Sequence, residues 1–382
     1  MPLLGPVQVG AVTTQHRIVM GPLTRFRAND DFTPSALQEK YYLQRSSVPG
    51  TLIVSEATYI SERAGGYFNA PGIWNKAQIE GWKRIAEAVH GNGCHMFLQL
   101  WALGRVASSR FDSYIGTKEG LDLVGPSAIA DHTQRKLKVP RELSVEEIKE
   151  YVRDYAQAAK NAVFVAGMDG VEIQAGNGYL VDQFLHENSN HRTDEYGGCL
   201  EKRAKFLLDV VDAAIEAVGA DRVGIRLTPW ENFQDIEQAI SPMRTFGHVL
   251  MELEKRAQSG SRLAYVHIVE PCIVKVFKDI PAKNKTNDWV RTFWKGVWIR
   301  AGGFTRETAF SACSHDPKIL VSFGRLFIAN PDLVKRLSDD LPLNKPHPAT
   351  FYTGAESGYT DYPFYNSPGG RRGSANWFSA DE

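Results

Sequence analysis

The sequence predicts an α/β protein folded as a single (β/α)8, or TIM, barrel, and two observations lead there. Short, β-branched apolar runs alternate with longer amphipathic segments along most of the chain, and there are eight such runs. Continuous apolar runs suit parallel strands buried on both faces, and eight strands are the number that closes a small barrel. A doubly wound open sheet would instead show a glycine-rich fingerprint after its first strand. None follows Ile18–Met20.

Taken in order, the strands are expected at Ile18–Met20, Leu52–Ser55, Met96–Leu100, Gly170–Ile173, Val223–Leu227, Ala264–Val269, Trp298–Ala301 and Ile319–Phe323. Between them, Ala77–His90 sets Ile79, Trp82, Ile85, Ala86 and Val89 on one helical face. The run Ser144-Val-Glu-Glu147 is a capping box. It opens a helix expected to reach Ala166, with Ile148, Val152, Tyr155, Ala159 and Val163 as its core stripe. Leu200–Val218 and Phe246–Ala257 follow the same pattern. No internal repeat or linker divides the chain, so residues 1–365 read as one barrel domain and 366–382, rich in Gly, Ser and Arg, as a flexible tail.

Composition narrows the partners. The 382 residues fall within the range of single barrels with insertions, and a chain of this length buries roughly three quarters of its unfolded surface without help from disulfides or metals. With 44 basic and 44 acidic residues the formal charge is zero, which argues against nucleic acid or an anionic membrane as the main partner. Four cysteines, Cys94, Cys199, Cys272 and Cys313, lie far apart with no CxxC pair, so neither a metal site nor a disulfide framework is expected. The start MPLLGPVQVGAV lacks the form of a signal peptide, and no segment approaches the ~18 continuous apolar residues of a membrane span. The expectation is a soluble, cytoplasmic protein.

Barrel enzymes place their chemistry at the C-terminal ends of the strands and in the loops that follow. That rule selects Pro22, Leu23 and Thr24 after the first strand, Ala57 after the second, Gln99 and Trp101 at the third, and Gln174, Asn177 and Tyr179 after the fourth. It adds Arg226 at the fifth, Gly302 and Gly303 after the seventh, and Gly324 and Arg325 after the eighth. Two glycine-bearing turns on consecutive strands suit a phosphate, because glycine admits close backbone approach and Arg325 offers a charged fork. Alone, either turn is better explained by a simple change of chain direction; together they favour a phosphate site. Arg226 closes the strand VGIRL, where a charge is costly unless compensated. A structural ion pair and a role against a charged cofactor ring both account for it. The Gln99 amide donates and accepts at once, which suits a pyrimidine-like edge.

The stretch DGVEIQAGNGYLVDQFLHENSNHRTDEYGGCLEKRAKF (169–206) resembles the old yellow enzymes. So do GPLTRFRA, SEATYISERAGGYFNAPGIW, FLQLWALGR, VGIRLTPW, ELEKRAQSGSRLAYVHIVEP, IRAGGFTRE, FGRLFIANPDLVKRL and FYTGAESGYTDYPFY, in the family's order across nearly the whole chain. The resemblance implies a (β/α)8 barrel that binds FMN non-covalently at its mouth. On it, Thr24 hydrogen-bonds the flavin near O4, with Pro22 and Leu23 as backbone neighbours and Ala57 beside the ring. Gln99 and Arg226 hold the pyrimidine edge, and Gly302, Gly303, Gly324 and Arg325 cradle the phosphate. Tyr179 protonates the substrate, while Trp101 and Tyr359 shape the pocket. It further implies an NADPH-dependent ene-reductase working by a ping-pong mechanism on small α,β-unsaturated carbonyl compounds, as a monomer or homodimer.

The chain departs from the family pattern at one reactive position. The family usually has His-x-x-Asn-x-Tyr or His-x-x-His-x-Tyr on the fourth strand; here Gln174 stands at the histidine position beside Asn177 and Tyr179. A glutamine amide still polarises a carbonyl as a neutral donor but never becomes cationic. Gly303, where some relatives carry a phosphate-reaching side chain, costs about one hydrogen bond of ~1–3 kcal/mol. The segment 231–246 after Trp230 is unusual, so the rim there does not carry over. Two other functions remain open. An FMN isomerase without net reduction is one, made less apt by Tyr179. A flavin-free barrel such as an aldolase is the other, and the strand ends offer it neither a Schiff-base lysine nor metal ligands.

Overall fold

The computed structural model describes residues 2–107, 122–133, 137–236, 242–274, 279–282 and 285–366. The expected tail from 367 onward and positions 237–241 of the rim segment lie outside the described residues. Eight parallel strands form the barrel: β1 (Ile18–Met20), β2 (Leu52–Val54), β3 (His95–Trp101), β4 (Gly170–Gln174), β5 (Val223–Leu227), β6 (Tyr265–Val269), β7 (Trp298–Ala301) and β8 (Ile319–Phe323). Each pairs with the next in sequence, and β8 pairs back to β1 through Phe323 and Met20, which closes the ring. The expected strands are all present, with ends shifted by a residue or two.

Among the described residues, ten α-helices accompany them: α1 (Ala36–Arg45), α2 (Lys76–Gly91), α3 (Val145–Lys160), α4 (Leu180–Leu185), α5 (Leu200–Val218), α6 (Pro242–Gln258), α7 (Val290–Phe293), α8 (Arg306–His315), α9 (Arg325–Ala329) and α10 (Leu333–Ser338). The capping box at Ser144 forms as expected, its hydroxyl accepting from Glu147 N while the Glu147 side chain returns to Ser144 N. Ser35 with Gln38, Asn75 with Gln78, and Thr305 with Thr308 do the same for α1, α2 and α8. The helix from Ser144 does not run regularly to Ala166. At Lys160 it widens into a π turn, Asn161–Val165, closed by Ala166 N–H on the Asn161 carbonyl at 2.8 Å. The extra residue lets the Asn161 amide reach the Ile73 carbonyl at 2.9 Å, while Phe164 and Val165 turn outward.

Although the strands read as unbroken apolar runs, their side chains alternate between two cores. Ile18, Met20, Ile53, Leu98, Val171, Ile225 and Val321 face the helices. Val19, Leu52, Val54, Phe97, Tyr265, Ile299 and Leu320 fill the barrel's own interior. A hairpin of Val7–Val9 and Val12–Thr14, not foreseen from the sequence, plugs that interior from below with Val9 and Val12. Its turn needs Gly10, whose φ is +54° and where a Cβ would lie 1.9 Å from the Asp221 carbonyl oxygen. Going up the strands on the inward face, Phe97, Gly170, Gly224 and Tyr265 give way to Gln99, Glu172, Arg226 and His267. The interior therefore changes from apolar to polar just below the C-terminal mouth.

At the opposite end, His16 is buried in its neutral form. Its Nδ1 accepts from Ile18 N–H at 3.2 Å and its Nε2–H faces Thr51 Oγ1 at 2.9 Å; that hydroxyl is committed as a donor to the Val48 carbonyl. Burial pushes the imidazole down to about 4. The unfolded chain therefore binds a proton here between pH 6.5 and 4 that the native state refuses, so stability falls as pH drops through that window. We expect a loss of about 2 kcal/mol from this group by pH 5. His16→Gln, which can both accept and donate, should flatten that slope in urea unfolding followed from pH 7.5 to 5. An unchanged slope would place the acid sensitivity elsewhere.

Among the described residues no helix is long and apolar enough to cross a membrane.

Candidate active site

Tyr359 apart, the expected site residues come from seven strands and meet at the C-terminal mouth. Gln99 and Trp101 are inward residues near the end of β3, and both are almost fully buried. Gln174 ends β4 and lies beside Arg226 of β5 in register; Arg226 in turn lies beside His267 of β6. The chain leaves β4 through Asn177, whose backbone is left-handed (φ +57°), a conformation asparagine tolerates better than most residues. Asn177 N–H is fixed on Thr228 Oγ1 at 2.8 Å. Tyr179 then caps α4, with its ring edge-on to Trp101 at 4.8 Å.

The direction of the hydrogen bonds here follows from the cation. A guanidinium only donates, so the Asn177 side-chain oxygen accepts from Arg226 Nη1. The same oxygen takes the Gln174 Nε2 at 3.3 Å. This leaves the Asn177 amide nitrogen as the outward donor and the Gln174 Oε1 buried without a partner among the described residues. Arg226 Nε and Trp101 Nε1 are also enclosed with no partner among the described residues. Buried polar atoms in native proteins are nearly always satisfied, so three orphans at one barrel mouth mark a site built for a polar ligand. Burial lowers the proton affinity of the Arg226 guanidinium, and Glu172 below it works to restore it.

Across the mouth, Pro22, Leu23 and Thr24 follow β1 half-buried, and Ala57 follows β2 buried. Gly302 and Gly303 follow β7 with φ of +102° and +69°. Gly324 opens α9 after β8, and a Cβ there would press on the Leu23 side chain at 3.2 Å. The β1, β7 and β8 loops thus form a surface of exposed backbone, half-buried at Gly302, Gly303, Gly324 and Arg325. Both glycines after β7 hold conformations closed to most side chains. The donor set fits FMN: orphaned donors and acceptors for a pyrimidine ring at β3 to β5, and a glycine cradle beside Arg325 for its phosphate.

One expectation is corrected. Tyr359 does not line the mouth; it is fully buried, stacked on Tyr41 of α1 at 4.1 Å and 4°, with the Arg27 guanidinium 4.7 Å from its ring. Arg25 and Arg27 bind the backbone carbonyls of Thr350, Phe351, Ala355 and Gly358, so Tyr359 belongs to the clamp that seats the C-terminal segment. The other tyrosine of FYTGAESGY, Tyr352, is the half-exposed one, 5.7 Å from Phe26. Phe26 meets Tyr67, and Tyr67 and Tyr59 pack on Trp101. This aromatic wall was not foreseen. Its only signal in the sequence is a density of aromatic residues after the first two strands, which core packing would equally produce.

Comparison with known proteins agrees with this geometry. Residues 2–344 match the model of the NADH:flavin oxidoreductase / NADH oxidase family. The chain is 42% identical over 386 residues to enoate reductase 1 of Kluyveromyces lactis, covering 94% of this chain and 93% of that one. Among solved structures it is similar to the Old Yellow Enzyme from Pichia sp. AKU4542, with a TM-score of 0.88 and 38% identity over 96% of this chain and 94% of that one. It is also similar to morphinone reductase in complex with tetrahydroNAD, with a TM-score of 0.84 and 40% identity over 95% and 97%.

Proposed function

Since the chain belongs to the NADH:flavin oxidoreductase / NADH oxidase family, among the old yellow enzymes, and is an NAD(P)H-dependent FMN oxidoreductase, we propose that it reduces the C=C bond of small α,β-unsaturated carbonyl compounds. The observation that carries this reading is the turn after β4. It sets an outward amide donor, Asn177, and a phenol, Tyr179, on one face, both held from behind by Arg226 and Trp101. When bound, FMN supplies the redox chemistry, taking a hydride from the nicotinamide and giving one to the β-carbon of the substrate.

The chain's own residues do the rest. Asn177 Nδ2–H donates to the carbonyl oxygen and draws electron density from the double bond. The Tyr179 hydroxyl delivers the proton to the α-carbon, so that hydride and proton together saturate the bond. Gln99 and Arg226 hold the pyrimidine edge, with Thr24 and Ala57 beside the ring. Gly302, Gly303, Gly324 and Arg325 take the phosphate. NADPH and the substrate occupy the same face in turn, which gives ping-pong kinetics.

The test is a purified protein, yellow from bound FMN, assayed with NADPH and a cyclic enone. One NADPH consumed per product is expected; turnover on catalytic NADPH alone would point to isomerisation instead. Gln174 sharpens the substrate reading. One of its two N–H groups is given to Asn177 and its oxygen is an acceptor, so its amide is partly diverted from a plain enone's carbonyl. We expect Gln174→His to improve binding of such an enone roughly three- to tenfold, the value of one net hydrogen bond. Titration of the oxidised enzyme with a phenolic or enone ligand reads this directly, and unchanged affinity would remove position 174 from carbonyl recognition.

A further inference from the structure

Below the mouth, the barrel interior holds a carboxylate that the contacts described so far leave without a role. Glu172 of β4 is completely buried, as is His267 of β6. Both carboxylate oxygens are engaged: Oε1 accepts from Gln99 Nε2 at 2.7 Å and Oε2 accepts from His267 Nδ1 at 2.8 Å. Gly224 of β5 lies between these two strands and gives up its side-chain volume to the Tyr265 ring, which a Cβ would meet at 2.4 Å. Two residues further along β5 stands Arg226.

The protonation state follows from these neighbours. Burial works to raise the Glu172 carboxyl, but His267, Arg226 and Gln99 outweigh it and hold the group below the ordinary carboxylate value. Burial lowers His267, and Arg226 adds to that against the pull of Glu172, so the imidazole is neutral with its proton on Nδ1. One negative charge is therefore sealed in the barrel beneath Arg226. Because a carboxylate only accepts, it also turns the Gln99 amide nitrogen toward itself and the amide oxygen away, as an acceptor for the N3–H of a pyrimidine ring.

The geometry points to Glu172 as a positioning residue that sets the redox balance of the bound flavin, with His267 as the group that keeps it ionised. Reduction adds negative charge at the pyrimidine end of FMN, which Arg226 favours and Glu172 opposes. Charges in a low-dielectric interior act over several ångströms with little screening. The inference rests on FMN occupying this mouth and is independent of the substrate.

Glu172→Gln separates charge from shape. The new amide oxygen can accept from Gln99, and its nitrogen can donate to His267 once the ring moves its proton to Nε2. With the counter-charge gone, reduced FMN should bind at least tenfold more tightly relative to oxidised FMN than in the wild type. For a two-electron couple that is a potential about 30 mV more positive, read by dye-equilibrated reduction of the holoenzyme. A purely structural role would lower the melting temperature and leave the potential in place; a change under twofold in that ratio overturns the proposal.

Should Glu172→Gln fail to load FMN, His267→Phe decides. It removes one donor from the carboxylate, which then takes up a proton more readily. Among the described residues, the other ionisable groups facing the pair are Arg226 from β5 and Tyr265 from β6, while β3 contributes the uncharged Gln99. Burial and the Glu172 charge both push Tyr265 well above the usual phenol value, so the phenol does not titrate near neutrality, and a guanidinium stays charged. The potential of His267→Phe should climb above that of the wild type as pH falls from 8 to 6. Parallel slopes in the two proteins would sink the idea.

Discussion

Arg226→Ala is expected to yield a colourless protein whose affinity for FMN is at least a hundredfold weaker than that of the wild type. Among the described residues the guanidinium is the one cation placed among the orphaned polar atoms at the end of β3 to β5, and its Nε has no partner there. Removing it takes away the ligand contact and three further supports at once. Asn177 loses the donor that fixes its amide, Gln174 loses the arrangement that depends on that oxygen, and Glu172 keeps a buried charge with no counter-charge. Truncating one partner of a buried charge pair costs ~2–5 kcal/mol, enough for the stated loss at about 1.4 kcal/mol per tenfold.

Some of that cost falls on folding, so the measurement needs two readouts. FMN titration by fluorescence quenching gives the affinity, and thermal melting of the apoprotein gives the stability. Arg226→Lys keeps the charge without the planar fork and should recover stability more fully than affinity. Adding Glu172→Gln to Arg226→Ala should raise the melting temperature by removing the unpaired charge, while FMN binding stays weak. An alanine variant that binds FMN within threefold of the wild type would show that the pyrimidine edge is held by other groups.

The sequence made the barrel legible because all eight strands carry dense apolar runs, and a parallel strand buried on both faces is apolar along most of its length. The helices were legible where a cap and a stripe coincide, as at Ser144, and less so where they do not. The short α4, α7 and α9 are held by the loops around them more than by any periodicity of their own. The hairpin Val7–Thr14 escaped notice because its two strands are only three residues each and their turn carries one glycine.

Within the site, placement at strand ends followed from the barrel rule alone, which is why Gln99, Arg226, Gln174, Asn177 and Tyr179 could be gathered in advance. Tyr359 shows where such reasoning stops. Two tyrosines seven residues apart in FYTGAESGY are equivalent to a reader of patterns. Arg25 and Arg27 decide between them, by folding the segment's carbonyls inward and drawing Tyr359 onto Tyr41. Glu172 was hidden for a related reason. In GVEIQ it reads as a lone acid in a strand, and only the register with Gln99 and the proximity of His267, 95 residues later, give it partners.

Tyr179→Phe is expected to slow the reduction of enones by ~10²–10⁴-fold, the usual contribution of a positioned general acid, while leaving the reduction of FMN by NADPH at the wild-type rate. The substitution is clean in this setting. Tyr179 is seated by its ring, edge-on to Trp101 at 4.8 Å, and by its backbone at the start of α4, so phenylalanine keeps the same position. Asn177 is held by Arg226 and Thr228, neither of which depends on the phenol. Ligand affinity at the carbonyl subsite should therefore change little, and the loss should appear in the rate constant and not in binding. Anaerobic stopped-flow separates the halves: NADPH bleaching of the oxidised enzyme first, then reoxidation of the reduced enzyme by a saturating enone. A loss confined to the second step assigns the proton to Tyr179. Equal reoxidation rates in the two proteins would mean that water protonates the α-carbon and that the phenol serves only to shape the mouth.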